Sequence, residues 1–379
     1  MRGPADLLAY RELFPAVERT VFLGAHTLAP LARPVRAAID RFLDVWEAKA
    51  SAERVWFEDV IPEMRRLEGL YAQVIGADPG EVVLTPSVST GLSSLASALT
   101  FTAGRHRVLL ARDEFPTDCH VWLAQQRRGA EVRWLDGKDE RAYLDALDAS
   151  TAVVSASRVS YLDGALLDAE ALVAGCRGAG ALCILDDYHG SGVVPLDVGA
   201  IGADALVGGP LKYLLGGPGI AFLYVRSDLA ADLEPTVTGW FSQADFFAFD
   251  GSRLDWPATA QRFAMGTPSP AAVYAAVAGL ELVLDVGVDR IRARTLELTG
   301  YVIGRAVEEG YVVRTPADPV QRGAMVAFEV PRSTDTLHHL LERDVIVDER
   351  HGALRVCPHF FTSEDDVDAM FDALRPFRH

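Results

Sequence analysis

The chain has 379 residues, 50% of them hydrophobic, a formal net charge of −17 and a sequence pI near 4.9. That length supports a large core and two domains, and the acidic balance argues against nucleic acid and anionic membrane surfaces as partners. Four scattered cysteines (Cys119, Cys176, Cys183, Cys357) form no CxxC pair, and no stretch reaches the roughly 18 apolar residues of a spanning helix, so a soluble, cytoplasmic protein is expected.

Residues 1–60 read as an N-terminal arm that joins a small domain or crosses to a partner subunit. Residues 61–265 alternate short apolar runs with amphipathic stretches. VVLTP (82–86), RVLLA (107–111), EVRWL (131–135), AVVSAS (152–157), LCILDD (182–187), ALVGG (205–209) and IAFLYV (220–225) predict buried strands. Gly91–Leu99, Asp118–Arg128 and Ala169–Gly178 predict helices between them. Such alternation gives βαβ units, hence an α/β domain with a mostly parallel seven-stranded sheet. After Arg226 comes an aromatic-rich loop, Thr238–Arg262. Residues 266–379 form the remaining unit: GTPSPAA (266–272) opens a long helix to about Glu308, with proline near its first turn. Beyond it the pattern predicts strands at Tyr311–Arg314, Met325–Val330, Val345–Asp348 and Leu354–Cys357, with a helix at Thr334–Glu342. A last helix opens on the capping box Ser363–Asp366, and together these make a smaller α+β domain.

The segment Ile184–Arg226 is the most informative. Asp186 closes an apolar strand, where a carboxylate can meet a ligand in the crevice at the sheet's C-terminal edge. Lys212 follows the next strand, between a Gly-Gly-Pro turn and a Gly-Gly-Pro-Gly loop. A lysine amine can condense with the aldehyde of pyridoxal phosphate, while a carboxylate keeps the pyridine nitrogen protonated. Either residue alone has an ordinary reading, a solvated loop lysine or a helix N-cap. Together, with His189 three residues after Asp186, they point to that cofactor. Asp187 is expected to face away, because successive strand residues alternate sides.

Several further blocks follow in a fixed order: GEVVLTPSVSTGLSSL (80–95), EFPTD (114–118), SRVSYLDG (157–164), DDYHGSGVVPL (186–196), GWFSQADFF (239–247), RFAMGTPSP (262–270) and ALRVCPHFF (353–361). With them the chain resembles the fold type I pyridoxal-phosphate enzymes of the aspartate aminotransferase superfamily, in the class V aminotransferase branch, and most of all kynureninases. The resemblance implies pyridoxal 5'-phosphate as cofactor and a role for each matched residue. Val88 gives a backbone N–H and Ser89 a hydroxyl to the phosphate. Phe115 stacks on the pyridine face, with Asp118 near the ring. Ser160 lies near the phenolic oxygen or the phosphate. Asp186 partners the pyridinium, His189 is its polar neighbour and Lys212 carries the cofactor. Trp240 and Thr267 reach the phosphate of a neighbouring subunit, which implies a homodimer with shared active sites. Arg355 clamps the substrate α-carboxylate, and His26 lines the substrate side, where the family usually has asparagine and serine.

The implied activity acts on an L-α-amino acid through an external aldimine and a Cα carbanion. Kynureninase-like side-chain cleavage, by a hydrolase or lyase, comes first. One position departs from the pattern: kynureninases have a tyrosine before the lysine, and this chain has Leu211. That keeps open a C–S β-lyase acting on a cysteine conjugate, as well as transamination and epimerisation. A catalytically inactive binding module is the non-enzymatic alternative.

Overall fold

The computed structural model describes residues 4–377. Seven strands form the central sheet: β1 (Val82–Thr85), β2 (Arg107–Ala111), β3 (Glu131–Leu135), β4 (Thr151–Ser157), β5 (Leu182–Asp186), β6 (Ala205–Gly208) and β7 (Ala221–Val225). Their spatial order is β1-β7-β6-β5-β4-β2-β3, and β7 runs antiparallel to both its neighbours while the other pairs are parallel. The inner strands are largely apolar because helices cover both faces. Alternate residues enter two separate cores: Leu109, Val154, Cys183, Leu185 and Leu206 pack on one side, Val108, Val153, Ile184, Ala205 and Val207 on the other. β3 is the edge strand, and its Glu131 is exposed.

The helix expected over 266–308 is two helices, Pro270–Val286 and Val288–Glu308, meeting at a bend of 77°. Gly287 makes the break, with φ of +90° that side-chain-bearing residues avoid. The first helix is buried along much of its length and packs against Arg33–Lys49 of the arm. The second covers the small domain.

That domain holds a three-stranded antiparallel sheet of Asp348–Arg350, Ala353–Val356 and Val326–Glu329, in that order. Residues 311–314 do not form the expected strand. Only Val313 bridges to Phe328 before the chain turns off at Pro316. The expected strand Val345–Asp348 is also divided. Val345–Ile346 pairs in parallel with Val21–Phe22 of the arm, and Asp348 starts the next strand. The arm therefore joins the small domain, with Leu23 buried among Val302, Phe328, Leu354 and Phe371. The capping box at Ser363 and Asp366 is formed as expected.

Candidate active site

Lys212 sits in the loop between β6 and β7, pressed against the helix Pro270–Val286. A Cβ at Gly279 would lie 2.5 Å from the carbonyl oxygen of Leu214, so loop and helix meet backbone to backbone. The arm supports the loop from the other side, where Ala29 N–H donates to the carbonyl of Leu211 at 3.1 Å. Nζ of Lys212 is 2.6 Å from Nε2 of His189 and 4.6 Å from the centre of the Tyr188 ring. Burial lowers the amine to about 8; the Asp186 carboxylate opposes that shift and the Arg355 charge adds to it.

Asp186 ends β5, beside Ser157 at the end of β4. Its Oδ1 accepts from Tyr188 N–H at 2.8 Å. Burial raises its carboxyl above the usual range, and the Tyr188 N–H and the Lys212 charge hold the rise in check. Asp118 is raised further, by burial first and then by the charges of Asp186 and Glu114. Of the pair, Asp118 keeps its proton more tightly and Asp186 is the anion. Glu114 is tied off separately, accepting from Tyr143 Oη at 2.9 Å and Ser157 N–H at 3.0 Å. Asp187 does face away: it is fully buried against Arg158, with Nε donating to Oδ1 at 2.5 Å.

Lys212 and Asp186 open onto one cavity of about 280 Å³ at the C-terminal edge of the parallel strands. At its far end the helix Val88–Ala98 begins, capped by Ser87, which accepts from Thr90 N–H at 3.2 Å. Val88 and Ser89 stand in the first turn, whose free N–H groups and dipole favour an anion. The Ser89 hydroxyl lies 3.0 Å from that of Thr117, so two hydroxyls face the same end. Phe115 covers a side wall, meeting Tyr161 edge to face at 5.3 Å. Leu211, Val159 and Ile220 complete an apolar lining. His189 Nδ1 and Asp118 Oδ2 are buried without a hydrogen-bond partner among the described residues.

Not every expected residue reaches this cavity. Ser160 is turned out of it by a tight hairpin, with its N–H on Ala165 O at 2.9 Å. Its hydroxyl accepts instead from Lys138 Nζ at 3.2 Å in a neighbouring polar cleft. Ser157 and Val159 of the same segment take the wall. Trp240 and Thr267 are exposed and absent from the cavity lining; Trp240 Nε1 donates to Phe246 O at 2.6 Å. Arg355 and His26 are buried where the small domain meets the Lys212 loop, and burial depresses His189, with the Lys212 and Arg355 charges acting the same way. Tyr213 points into the domain junction, where its hydroxyl lies 3.1 Å from Cys357 Sγ. It therefore does not stand in for the tyrosine that Leu211 replaces. Tyr188, between Asp186 and His189, and Thr117, within EFPTD, also line the cavity, although the sequence pattern gives neither a role.

These donors fit pyridoxal 5'-phosphate. They comprise a lysine amine lowered toward reactivity, a carboxylate at the sheet edge, an aromatic wall and an anion-binding helix start.

The class V aminotransferase family matches residues 21–359. An uncharacterized aminotransferase, YcbU, of Bacillus subtilis (strain 168) is 33% identical over 367 residues, covering 96% of each chain. A kynureninase of Burkholderia pseudomallei (strain 1106a) is 32% identical over 394 residues, covering 97% of this chain and 92% of its own. Among solved structures, apo cysteine desulfurase from Thermococcus onnurineus NA1 superposes with a TM-score of 0.88 at 20% identity, covering 99% and 98%. The cystine C-S lyase C-DES, in complex with its reaction product cysteine persulfide, superposes with a TM-score of 0.87 at 19% identity, covering 97% and 100%. The chain belongs to the class V aminotransferase family of fold type I pyridoxal-phosphate enzymes.

Proposed function

We propose that the protein cleaves the side chain of an L-α-amino acid in the manner of a kynureninase. The observation that carries this reading is the placement of Lys212, His189 and Asp186 at one end of a cavity whose other end offers the Ser89 and Thr117 hydroxyls, with Arg355 on the small-domain side. Asp186 would hold the cofactor ring, Phe115 its face, and Val88, Ser89 and Thr117 its phosphate. When bound, pyridoxal phosphate supplies an electron sink for charge developing at Cα. The rest falls to the chain's own groups. Arg355 attracts the substrate carboxylate and so orients the amino acid. The Lys212 amine, lowered by burial, takes a proton from Cα and can return it elsewhere. His189, kept neutral by burial and by the Lys212 charge, hydrogen-bonds the amine without competing for that proton. The apolar walls exclude water from all but the reacting end and suit a bulky, partly apolar side chain.

Leu211 favours a second reading. It puts an aliphatic wall where kynureninases place a phenol, and the neighbouring Tyr213 is committed to Cys357 instead. A leaving group that departs readily unaided, such as a thiol, suits that wall, which makes a C–S β-lyase the alternative. Trp240 and Thr267 lie outside this chain's cavity, and we assign them to the cofactor site of a second subunit in a homodimer.

The test is product analysis of the cofactor-loaded protein. Anthranilate from L-kynurenine supports the first reading; pyruvate and thiol from an S-substituted L-cysteine support the second. Turnover that requires an added keto acid overturns both in favour of transamination.

A further inference from the structure

On the face of β5 turned away from the cavity lies a buried ion pair that the proposed chemistry does not use. The register Ser157↔Asp186 sets the next residues, Arg158 and Asp187, side by side at the sheet's C-terminal edge. Arg158 is 3% exposed and Asp187 0%. The guanidinium meets the carboxylate through two nitrogens, Nε donating to Oδ1 at 2.5 Å and Nη2 to Oδ2 at 3.1 Å. The same side chain reaches further along the chain, with Nη2 donating to the carbonyl of Val194 at 2.8 Å and Nη1 to that of Pro195 at 3.2 Å. One guanidinium therefore grips both ends of the loop 187–195.

The loop is also fastened from within. Ser191 Oγ donates to Asp187 Oδ2 at 2.7 Å and lies 3.0 Å from Tyr71 Oη, on the helix Ile61–Ile75. The N–H groups of Gly190 and Ser191 both turn back to Asp187 O, at 3.0 and 2.9 Å. A Cβ at Gly190 would lie 2.6 Å from Arg158 Nη2, so the turn closes directly on the fork. Residues 187 and 191 are thus fixed on the far face. Tyr188 and His189, between them, are presented to the cavity, where both meet Lys212.

Taking two charges out of water is costly, and a packed apolar pair would hold these elements together equally well. What a planar fork adds is orientation. We propose that Arg158 and Asp187 are positioning residues, whose pairing behind the sheet aims His189 Nε2 at the Lys212 amine. The inference needs Lys212 to carry the cofactor and holds whichever side-chain reaction follows.

The experiment uses cofactor-loaded protein and follows the bound cofactor's absorbance as pH is varied. Arg158→Met together with Asp187→Leu replaces the pair by apolar side chains, and the melting temperature should stay within a few degrees of wild type. The midpoint of the absorbance change should fall by about one pH unit, the worth of a hydrogen bond from a charged nitrogen to His189. His189→Ala should lower it by the same amount. Adding the double substitution to His189→Ala should change it no further, because a residue acting through another has no effect once that other is gone. Tyr188, Asp186, His26, Arg355 and Cys357, the remaining titratable groups around Lys212, are untouched in every variant. Arg158→Lys keeps the charge and loses the fork, so it should give part of the shift, and it decides the matter if the double variant fails to fold. A midpoint that neither variant moves, or that moves equally with and without His189, overturns the proposal and leaves the pair a structural one. Wild-type protein that takes up no pyridoxal phosphate refutes instead the attachment at Lys212, a separate failure.

Discussion

Nζ of Lys212 and Nε2 of His189 are 2.6 Å apart, and both groups are shifted toward their neutral forms by the same burial. A neutral amine is the nucleophile that attaches the cofactor. With the amine lowered from 10.5 to about 8, its free form dominates some two pH units earlier than for a solvated lysine. Attachment of pyridoxal phosphate to the apo protein, measured by borohydride trapping, should therefore speed up with pH and level off just above 8. The sign for stability follows. Between about 8 and 10.5 the unfolded chain binds a proton that the folded chain has lost, so this group's destabilising contribution fades as pH rises through that window. A rate that climbs steadily past pH 10 would contradict the assignment.

Asp186 and Asp118 place two carboxyls in one buried region, and Glu114 is a third. In the apo protein that is an unfavourable concentration of like groups; a cationic ring nitrogen relieves it. Asp186→Asn keeps the acceptor for Tyr188 N–H but loses the charge. The apo variant should melt about a degree higher, as removal of roughly 1 kcal/mol of repulsion implies for a chain of this length. Activity should fall by about 10²–10³, the range for losing one preorganised electrostatic contact. Opposite movement of the two measurements is the signature; a lower melting point would mean the carboxylate is structural.

Asp186 and Lys212 were legible in the sequence because their chemistry demands those residue types at strand ends, and strand ends are marked by apolar runs. The sheet was legible for the same reason. Ser160 was misplaced because a hairpin turned it: the Asp163-Gly164 turn, with Gly164 at φ +71°, swings the serine toward Lys138. That turn signal was present in SYLDG, but its direction was not. The pairing of Asp348 with Arg355 needs a register fixed by His351 (φ +52°) and Gly352 (φ +84°), two consecutive left-handed residues. No residue-type argument supplies that register. The helix break at Gly287 was visible as a residue but not as an angle.

Phe115 is 42% exposed, so its ring contributes little to the apo core. Its value should appear only with the cofactor in place. Aromatic stacking is worth about 0.5–1.5 kcal/mol beyond area burial. Phe115→Ala should raise the dissociation constant for pyridoxal phosphate about tenfold, read by titrating apo protein and following cofactor fluorescence. The apo melting temperature should move by no more than a degree or two. A large drop in that temperature would make the ring a core residue after all.

Trp240, at 41% exposed, stacks on Phe249, itself 74% exposed, at 5.4 Å. So large an exposed apolar patch suits burial against a second subunit. Hybrids test this. Lys212→Ala and Trp240→Ala subunits, each inactive or weakened alone, should regain activity when unfolded and refolded together, because one of the two sites in a mixed dimer then carries neither defect. No recovery, with dimers confirmed by light scattering, would place Trp240 in its own chain's structure only.

Leu211 stands on the cavity wall next to the reacting amine, and Tyr213 on its other side is committed to Cys357. A tyrosine at 211 would bring a proton donor to the place where the side-chain step needs one. General acid assistance is worth about 10²–10⁴ when the acid is well placed, and a newly introduced phenol should reach the lower end. Leu211→Tyr should therefore speed cleavage of L-kynurenine by one to two orders of magnitude, about 10–100-fold. Elimination of a thiol should change little, since that leaving group departs without help. The ratio of the two rates is the informative quantity, because a general packing defect lowers both together. If both substrates respond equally, the leucine acts through space-filling, and the natural substrate must be sought among amino acids whose side chains match that volume.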